Sequence, residues 1–243
     1  MTRVGTALWS GARELRRTPL LLALLVVAPA YVVGLFTLVA PDSPAAFTLD
    51  GTTVRTTLDA VFPAFTTPMT AALLSGIAGL FLMQNAAAAD ERLCLAGYRP
   101  HEVVVARFGL LVGVATVATA VSVAVMSTAF VPDRPALFAA STLLVALVYG
   151  TVGVVVGSLL DRLPGVYLLL FGSMVDLFVF QNPLATDPPA IATLLPGHYP
   201  LDVAIAAAFT DGAVAGALAR TGLVLGVLTA AATLAFRWQL RSG

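Results

Sequence analysis

Long runs of apolar residues, separated by short segments that contain Pro, Asp and Arg, dominate the hydropathy pattern of this chain. A helix needs about 20 apolar residues to cross the ~30 Å hydrocarbon core of a bilayer. The pattern therefore predicts an all-α, polytopic membrane protein in which residues 1–243 form a single membrane domain. The six predicted membrane-spanning helices cover residues 20–40, 65–88, 108–130, 136–160, 164–182 and 217–237.

Residues 1–18 have a different pattern, in which apolar side chains are spaced like one face of a helix. This face consists of Val4, Ala7, Leu8, Gly11, Ala12 and Leu15. The spacing predicts an amphipathic helix that lies in the cytoplasmic interface of the membrane. A cleaved signal peptide is the alternative, because the start is rich in Arg and Ala28-Pro29-Ala30 lies in the first apolar run. That run continues through Val39, so we expect a retained anchor.

Composition excludes several classes of protein. Hydrophobic residues make up 59% of the chain and charged residues 11%, against about 25% charged in soluble domains. All 13 basic residues are Arg and balance 13 acids, so the chain has no basic surplus for nucleic acid. Without Lys it cannot form a P-loop ATPase site. One cysteine, Cys94, and two histidines, His101 and His198, exclude an internal disulfide and a His-rich metal cluster. We therefore expect no enzyme, no metal site and no cofactor bound by this chain.

Arginine placement predicts the orientation, since short cytoplasmic loops are enriched in Arg and Lys. With six spans, 10 of the 13 Arg residues fall on one side, and the other three are Arg55, Arg134 and Arg220. Both termini are therefore expected in the cytoplasm of a multi-pass protein of the cell membrane. Glycines at one-turn spacing, among them Gly153 with Gly157 and Gly222 with Gly226, favour close packing between helices.

The segment between the second and third spans, residues 89–107, is dense in charge and is called the elbow below. Gly97 is placed to end one helix, and Pro100 with Glu102 is typical of the start of the next. The pattern predicts a helix-turn-helix on the cytoplasmic face and favours a docking surface over a solvated connector. The candidate docking residues are Asp90, Glu91, Arg92, Gly97, Tyr98, Arg99, Pro100, His101 and Glu102.

Residues 183–216, between the fifth and sixth spans, contain apolar pieces at 191–195 and 204–209 that are too short to cross a bilayer. Irregular or short elements at membrane depth persist only where protein buries them. We expect short re-entrant or interfacial helices that cover the outer end of the bundle. A surface loop is the alternative.

Asp176 is an acid inside the fifth predicted span, and Gln181 and Asn182 extend the polar character toward its outer end. An unpaired carboxylate in lipid costs a few kcal/mol on insertion scales, so this side chain should face protein. These three residues are candidates for lining a transport or ion pathway. The alternative for Asp176 is an interhelical hydrogen bond that stabilises the bundle.

The elbow, with Asp90, Glu91 and Arg92 before Gly97 and a second short helix after it, resembles the same segment in permease subunits of type-2 ATP-binding-cassette exporters. The order of an amphipathic N-terminal helix, six spans and a long outer segment around Pro196-Gly197-His198-Tyr199-Pro200 is similar over essentially the whole chain. The small first outer loop, residues 41–63, gives no large extracellular domain.

This resemblance implies a channel formed with a second permease copy or a paralogue. It also implies that each elbow docks on a separate cytoplasmic ATPase, which binds ATP and Mg. On that basis the expected function is outward movement of an apolar or amphipathic, drug- or lipid-like solute. The alternatives are an ion-coupled secondary transporter that uses Asp176 and a non-transporting membrane anchor subunit. The first alternative is disfavoured because proton-coupled carriers usually hold several intramembrane charges.

Overall fold

The computed structural model describes Arg13 and residues 19–49, 51–95, 100–185 and 189–242. Seven α-helices lie in these ranges together with one β-hairpin. In chain order the elements are α1 (Pro19–Val39), β1 (Pro44–Leu49), β2 (Thr52–Thr57), α2 (Leu58–Leu95), α3 (Pro100–Met126), α4 (Pro135–Leu159), α5 (Arg162–Met174), a π-helical turn (Val175–Phe180), a 3-10 turn (Ala190–Leu194), α6 (His198–Phe209) and α7 (Ala215–Ser242). The predicted interfacial helix at residues 1–18 lies outside the described residues, Arg13 excepted.

Within the described residues, five helices are long and apolar enough to cross a membrane, by length and composition. Their apolar stretches are Leu58–Asn85, Glu102–Met126, Pro135–Leu159, Arg162–Phe180 and Ala215–Phe236. In α1, which is 21 residues long, side chains are described from Ala23, and Ala23–Val39 is an apolar helical stretch. A mostly helical chain with several segments suited to a membrane is thus confirmed, and the sixth span stays a prediction.

Two of the helix boundaries that differ from the predicted spans have a local explanation. α2 begins at Leu58, seven residues before the predicted start of its span at residue 65, because the chain passes directly from the hairpin into the helix. α3 ends at Met126 rather than residue 130. There the hydroxyls of Ser127 and Thr128 donate to carbonyls of the last helical turn, at 2.8 and 2.7 Å, and so compete with further helical bonding.

The hairpin of β1 and β2 occupies the loop that the sequence analysis described only as small. Gly51 in its turn has φ +76°, a conformation that glycine adopts without steric cost, and Asp-Gly between short strands is a strong hairpin signal. Phe47 pairs with Val54 in the antiparallel register, and both are buried. Phe47 also packs edge-on against Phe209 of α6 at 5.6 Å between ring centroids. We call this side of the molecule the hairpin end and the opposite side the elbow end.

α2 and α4 cross at the centre of the bundle through glycines. A Cβ on Gly153 would overlap the carbonyl oxygen of Gly76, and a Cβ on Gly79 would overlap that of Gly150. Real side chains cannot occupy either position without separating the helices. The close packing predicted for Gly153 is therefore confirmed. Gly222 and Gly226 on α7, by contrast, have no atoms within 4 Å of a Cβ position.

Candidate functional site

A polar cluster lies inside the bundle, where the middle of α4, the π-helical turn after α5 and the N-terminus of α6 meet. Asp176 is its centre and is only 5% exposed. It lies in the π-helical turn, which its own carbonyl closes by accepting a hydrogen bond from the N–H of Gln181 at 3.0 Å. π-Helical turns of this length are uncommon and occur frequently at functional sites.

Three donors converge on the Asp176 carboxylate. The Tyr149 hydroxyl donates to Oδ2, the backbone N–H of Gly197 donates to the same oxygen at 3.1 Å, and Gln181 Nε2 donates to Oδ1 at 3.2 Å. An ionised carboxylate only accepts hydrogen bonds, so donors on both oxygens are the partners that this group needs when it is buried. The acid that appears isolated in the sequence is thus joined to α4 and to the start of α6.

Gln181 extends the cluster toward the segment that precedes α6. Its Nε2 donates to the Ala192 carbonyl at 2.9 Å, and its Oε1 lies 2.8 Å from His198 Nδ1. His198 Nε2 is 3.8 Å from an Asp202 carboxylate oxygen, one helical turn later. One amide side chain therefore links the π-helical turn to both the 3-10 turn and α6.

Gly197 permits the closest approach in this cluster. A Cβ there would lie 2.5 Å from Leu177 Cδ2, 2.8 Å from the Tyr149 hydroxyl and 3.0 Å from Asp176 Oδ2. These distances are below normal contact, so a larger residue would displace the start of α6 from Asp176. Gly197 belongs to the Pro-Gly-His-Tyr-Pro motif in the sequence. The structure explains on steric grounds why a glycine occupies this position.

Asn182, the third predicted pathway residue, has a different contact. Its Oδ1 accepts a hydrogen bond from the Leu184 N–H at 3.0 Å. This is the Asx-turn arrangement that asparagine commonly makes with its own backbone two residues on. The structure therefore brings Asp176 and Gln181 together and gives Asn182 a local turn contact.

The C-terminus of α6 is bound by Arg134, the residue that precedes α4. Its guanidinium donates to the carbonyls of Ala206, at 3.4 Å, and Gly212, at 3.2 Å. Its backbone N–H donates to the Ala207 carbonyl at 3.0 Å, and the N–H of Asp133 donates to that of Ala208 at 3.1 Å. Both ends of α6 are thus hydrogen-bonded to other elements.

At the elbow end, α2 continues to Leu95 and α3 begins at Pro100, so two helices flank the predicted turn. Glu102 is half-buried in the first turn of α3, as the sequence analysis expected. Asp90, Glu91 and Arg92 lie in α2, and Pro100 and His101 open α3. Gly97, Tyr98 and Arg99 lie outside the described residues. The docking prediction for this segment is therefore a question for experiment.

No protein-family model matches this chain, and no curated protein matches it significantly. The resemblance to exporter permeases accordingly stays a proposal. Across the described ranges, no group of three or more His, Cys, Asp or Glu side chains is arranged to hold a metal ion. The cluster at Asp176 joins helices by hydrogen bonds, and its geometry suits a structural or positioning role.

Two participants in the site, Tyr149 and Arg134, carry little signal in the sequence. Tyr149 lies inside an apolar span, and the one available signal was that a buried tyrosine hydroxyl usually requires a partner. Arg134 was counted only as an outer charge. Neither contact was predictable, because each joins residues that are 27 or more positions apart in the chain.

Proposed function

We propose that this chain is the membrane-spanning permease subunit of an ATP-driven exporter. In this proposal the elbow end faces the cytoplasm, both termini are cytoplasmic and the hairpin end is outside. A separate ATPase of the ATP-binding-cassette class docks on the elbow and supplies ATP hydrolysis. The solute is apolar or amphipathic, and a second permease copy or a paralogue completes the pathway.

The observation that supports this proposal most strongly is the length of α2. α2 has 38 residues, about 57 Å at 1.5 Å per residue, and its last six residues, 90–95, continue the helix beyond the four alanines at 86–89. The continuation contains Asp90, Glu91 and Arg92. A charged helical extension of this length would stand clear of the hydrocarbon, where a soluble partner can bind it.

The base of this extension is attached to the α4–α5 connection. Gln84 Nε2 donates to the Leu160 carbonyl at 2.9 Å, and the Arg162 guanidinium lies 4.4 Å from the centroid of the Phe81 ring. Cation–π contacts of this kind are worth about 0.5–2 kcal/mol. A helix fixed at its base can transmit a force applied to its tip, as docking on a motor subunit requires.

The contacts of Asp176 disfavour the ion-coupled alternative. Three protein groups donate to its carboxylate oxygens and join it to α4 and to the start of α6, which favours a structural role for this acid. No contact in the structure argues for or against the non-transporting anchor. Identification of the proteins that accompany the chain distinguishes the anchor from the permease.

Co-purification tests the docking directly. The chain is isolated in mild detergent from its own cells, and the proteins that accompany it are identified. We expect an ATPase in the complex and a severalfold lower recovery of it with Glu91→Ala plus Arg99→Ala, because such surfaces bind through complementary charges. Arg55→Ala on the exposed hairpin is the matched control. Equal ATPase recovery with the double variant would remove the elbow from the interface, and recovery of no ATPase would favour the anchor.

The native thiol tests the proposed orientation. Cys94 lies near the end of α2, so a membrane-impermeant maleimide should modify it only after the cells are opened. An Ala213→Cys variant in a Cys94→Ser background is the control for the opposite face, since Ala213 is exposed after α6. Modification of Cys94 in intact cells would invert the topology.

A further inference from the structure

A groove of about 600 Å³ lies at the elbow end, beside the connection between α4 and α5. Its lining includes Gln84 of α2, Leu159 at the end of α4, and Asp161 and Arg162 at the start of α5. The apolar stretches of α4 and α5 end and begin at Leu159 and Arg162, so the groove lies at the level where the two spans leave the hydrocarbon. A cavity at this level meets lipid headgroups as well as acyl chains.

Contacts between α2 and α4 fix the shape of the groove. Gln84 Nε2 donates to the Leu160 carbonyl at 2.9 Å, which ties α2 to the chain beyond α4. A Cβ on Gly157 would lie 2.9 Å from the Leu80 carbonyl oxygen, so the two helix backbones are in close contact beside the groove. A ligand therefore meets a site that is already formed, and preformed sites bind at a lower entropic cost.

The described lining of the groove carries one cation and one anion. The Arg162 guanidinium lies 4.4 Å from the centroid of the Phe81 ring, and Asp161 is the residue immediately before α5. Both residues are exposed, and in the part of the chain that the structure describes neither forms an ion pair. One charge of each sign complements a zwitterion better than it complements a ligand with a net charge.

Exposed leucines flank these two charges. Leu159 is 72% exposed and Leu163 is 67% exposed, and apolar side chains at the edge of a span can contact acyl chains. A guanidinium binds phosphate oxygens through paired N–H donors. A primary ammonium donates hydrogen bonds that a carboxylate accepts. The cation, the anion and the leucines thus match the phosphate, the amine and the acyl chains of one phospholipid.

We propose that this groove binds a phospholipid with a phosphoethanolamine headgroup. Arg162 binds the phosphate, Asp161 accepts hydrogen bonds from the ammonium, and Leu159 and Leu163 contact the acyl chains. The bound lipid belongs to the leaflet at the elbow end and fills the space between α2 and the start of α5. The site is formed by this chain alone, so it does not depend on an ATPase or on a transported solute.

Native mass spectrometry of the detergent-solubilised chain measures the number of bound lipids. The probes are palmitoyl-oleoyl phosphatidylethanolamine, phosphatidylcholine and phosphatidylglycerol, each added at the same concentration. We expect severalfold higher occupancy by the ethanolamine lipid, because choline has no N–H donor for Asp161 and glycerol has no cation. Arg162→Gln should lower this occupancy severalfold. Asp161→Asn should remove the preference over phosphatidylglycerol.

Matched controls separate this site from general lipid adhesion. Arg55→Gln changes an exposed Arg on the hairpin and should leave the occupancy unchanged. Free phosphoethanolamine should not displace the lipid, because it lacks the acyl chains; displacement would indicate a soluble phosphate ligand and overturn the lipid assignment. Equal occupancy in the parent and in Arg162→Gln would overturn the proposal as well.

A second variant keeps the test decisive if Arg162→Gln, which also loses its contact with Phe81, does not yield a monodisperse protein. The Asp161 side chain makes no capping hydrogen bond with α5, so Asp161→Asn should fold. An unchanged lipid preference in Asp161→Asn would then overturn the proposal. Because the measurement needs no ATPase, lipid binding by a chain that shows no ATP-driven export would reject the proposed function and keep the lipid site.

Discussion

α6, the shortest of the described α-helices, and α7, one of the longest, differ strongly in burial. α6 has 12 residues and is buried on nearly every side, with Leu201 and all residues from 203 to 208 inaccessible. α7 has 28 residues, yet only 11% of its most apolar stretch is buried, against 78% for α2. The comparison shows that apolar sequence alone does not indicate a protein interior. A 12-residue helix spans about 18 Å and must be covered by protein, whereas α7 is long enough for lipid or a second copy to cover it.

The largest difference in stability is expected between leucine truncations on these two helices. Leu201→Ala in α6 removes a side chain that is 1% exposed, and Leu223→Ala in α7 removes one that is 70% exposed. Buried truncations cost about 2–5 kcal/mol, whereas exposed ones usually stay within about 0.5 kcal/mol. Thermal unfolding of the two variants in detergent measures the difference. Equal loss in both would show that α7 packs against protein, as a second copy in the micelle would cause.

Glycine substitutions compare the central crossing with α7. Gly153→Ala places a Cβ against the Gly76 carbonyl, whereas Gly226→Ala enters open space. Overpacking of this kind costs about 1–3 kcal/mol or more, so we expect a lower melting temperature for Gly153→Ala and little change for Gly226→Ala. Should Gly226→Ala be the more harmful of the two, α7 must make a close helix contact in the assembled complex.

The smallest effect is expected for Asp176→Asn on ATP-dependent export. Asn keeps the shape of Asp and an acceptor oxygen for the Tyr149 and Gly197 donors, so the contact with Gln181 is the one that is lost, and hydrogen bonds of this kind within membranes average only about 0.6 kcal/mol. Efflux from reconstituted vesicles that contain the ATPase should therefore stay within about threefold of the parent. Efflux that requires a proton gradient, ignores ATP and disappears in Asp176→Asn would instead establish the secondary transporter.

Hydropathy predicted the helices well because crossing a bilayer is a local requirement, satisfied by about 20 consecutive residues. The isolated Asp176 was recognisable for the same reason, since a lone acid in an apolar run is conspicuous. Its hydrogen-bond partners are not recognisable from the sequence, because the contact with Tyr149 depends on which faces of α4 and of the turn after α5 meet. The Asp-Gly turn of the hairpin is also a local signal, because its turn residues, rather than the length of the loop, predict the two strands.

The glycine crossing of α2 and α4 has a mechanical consequence. Two helices whose backbones touch cannot slide past each other without separating, so they are expected to tilt as one lever. The charged extension of α2 lies at one end of this lever. Arg134 at the start of α4 lies at the other end, and Tyr149 lies on the same helix. A tilt applied at the elbow would then displace Arg134 and Tyr149 together, because both residues belong to this one lever.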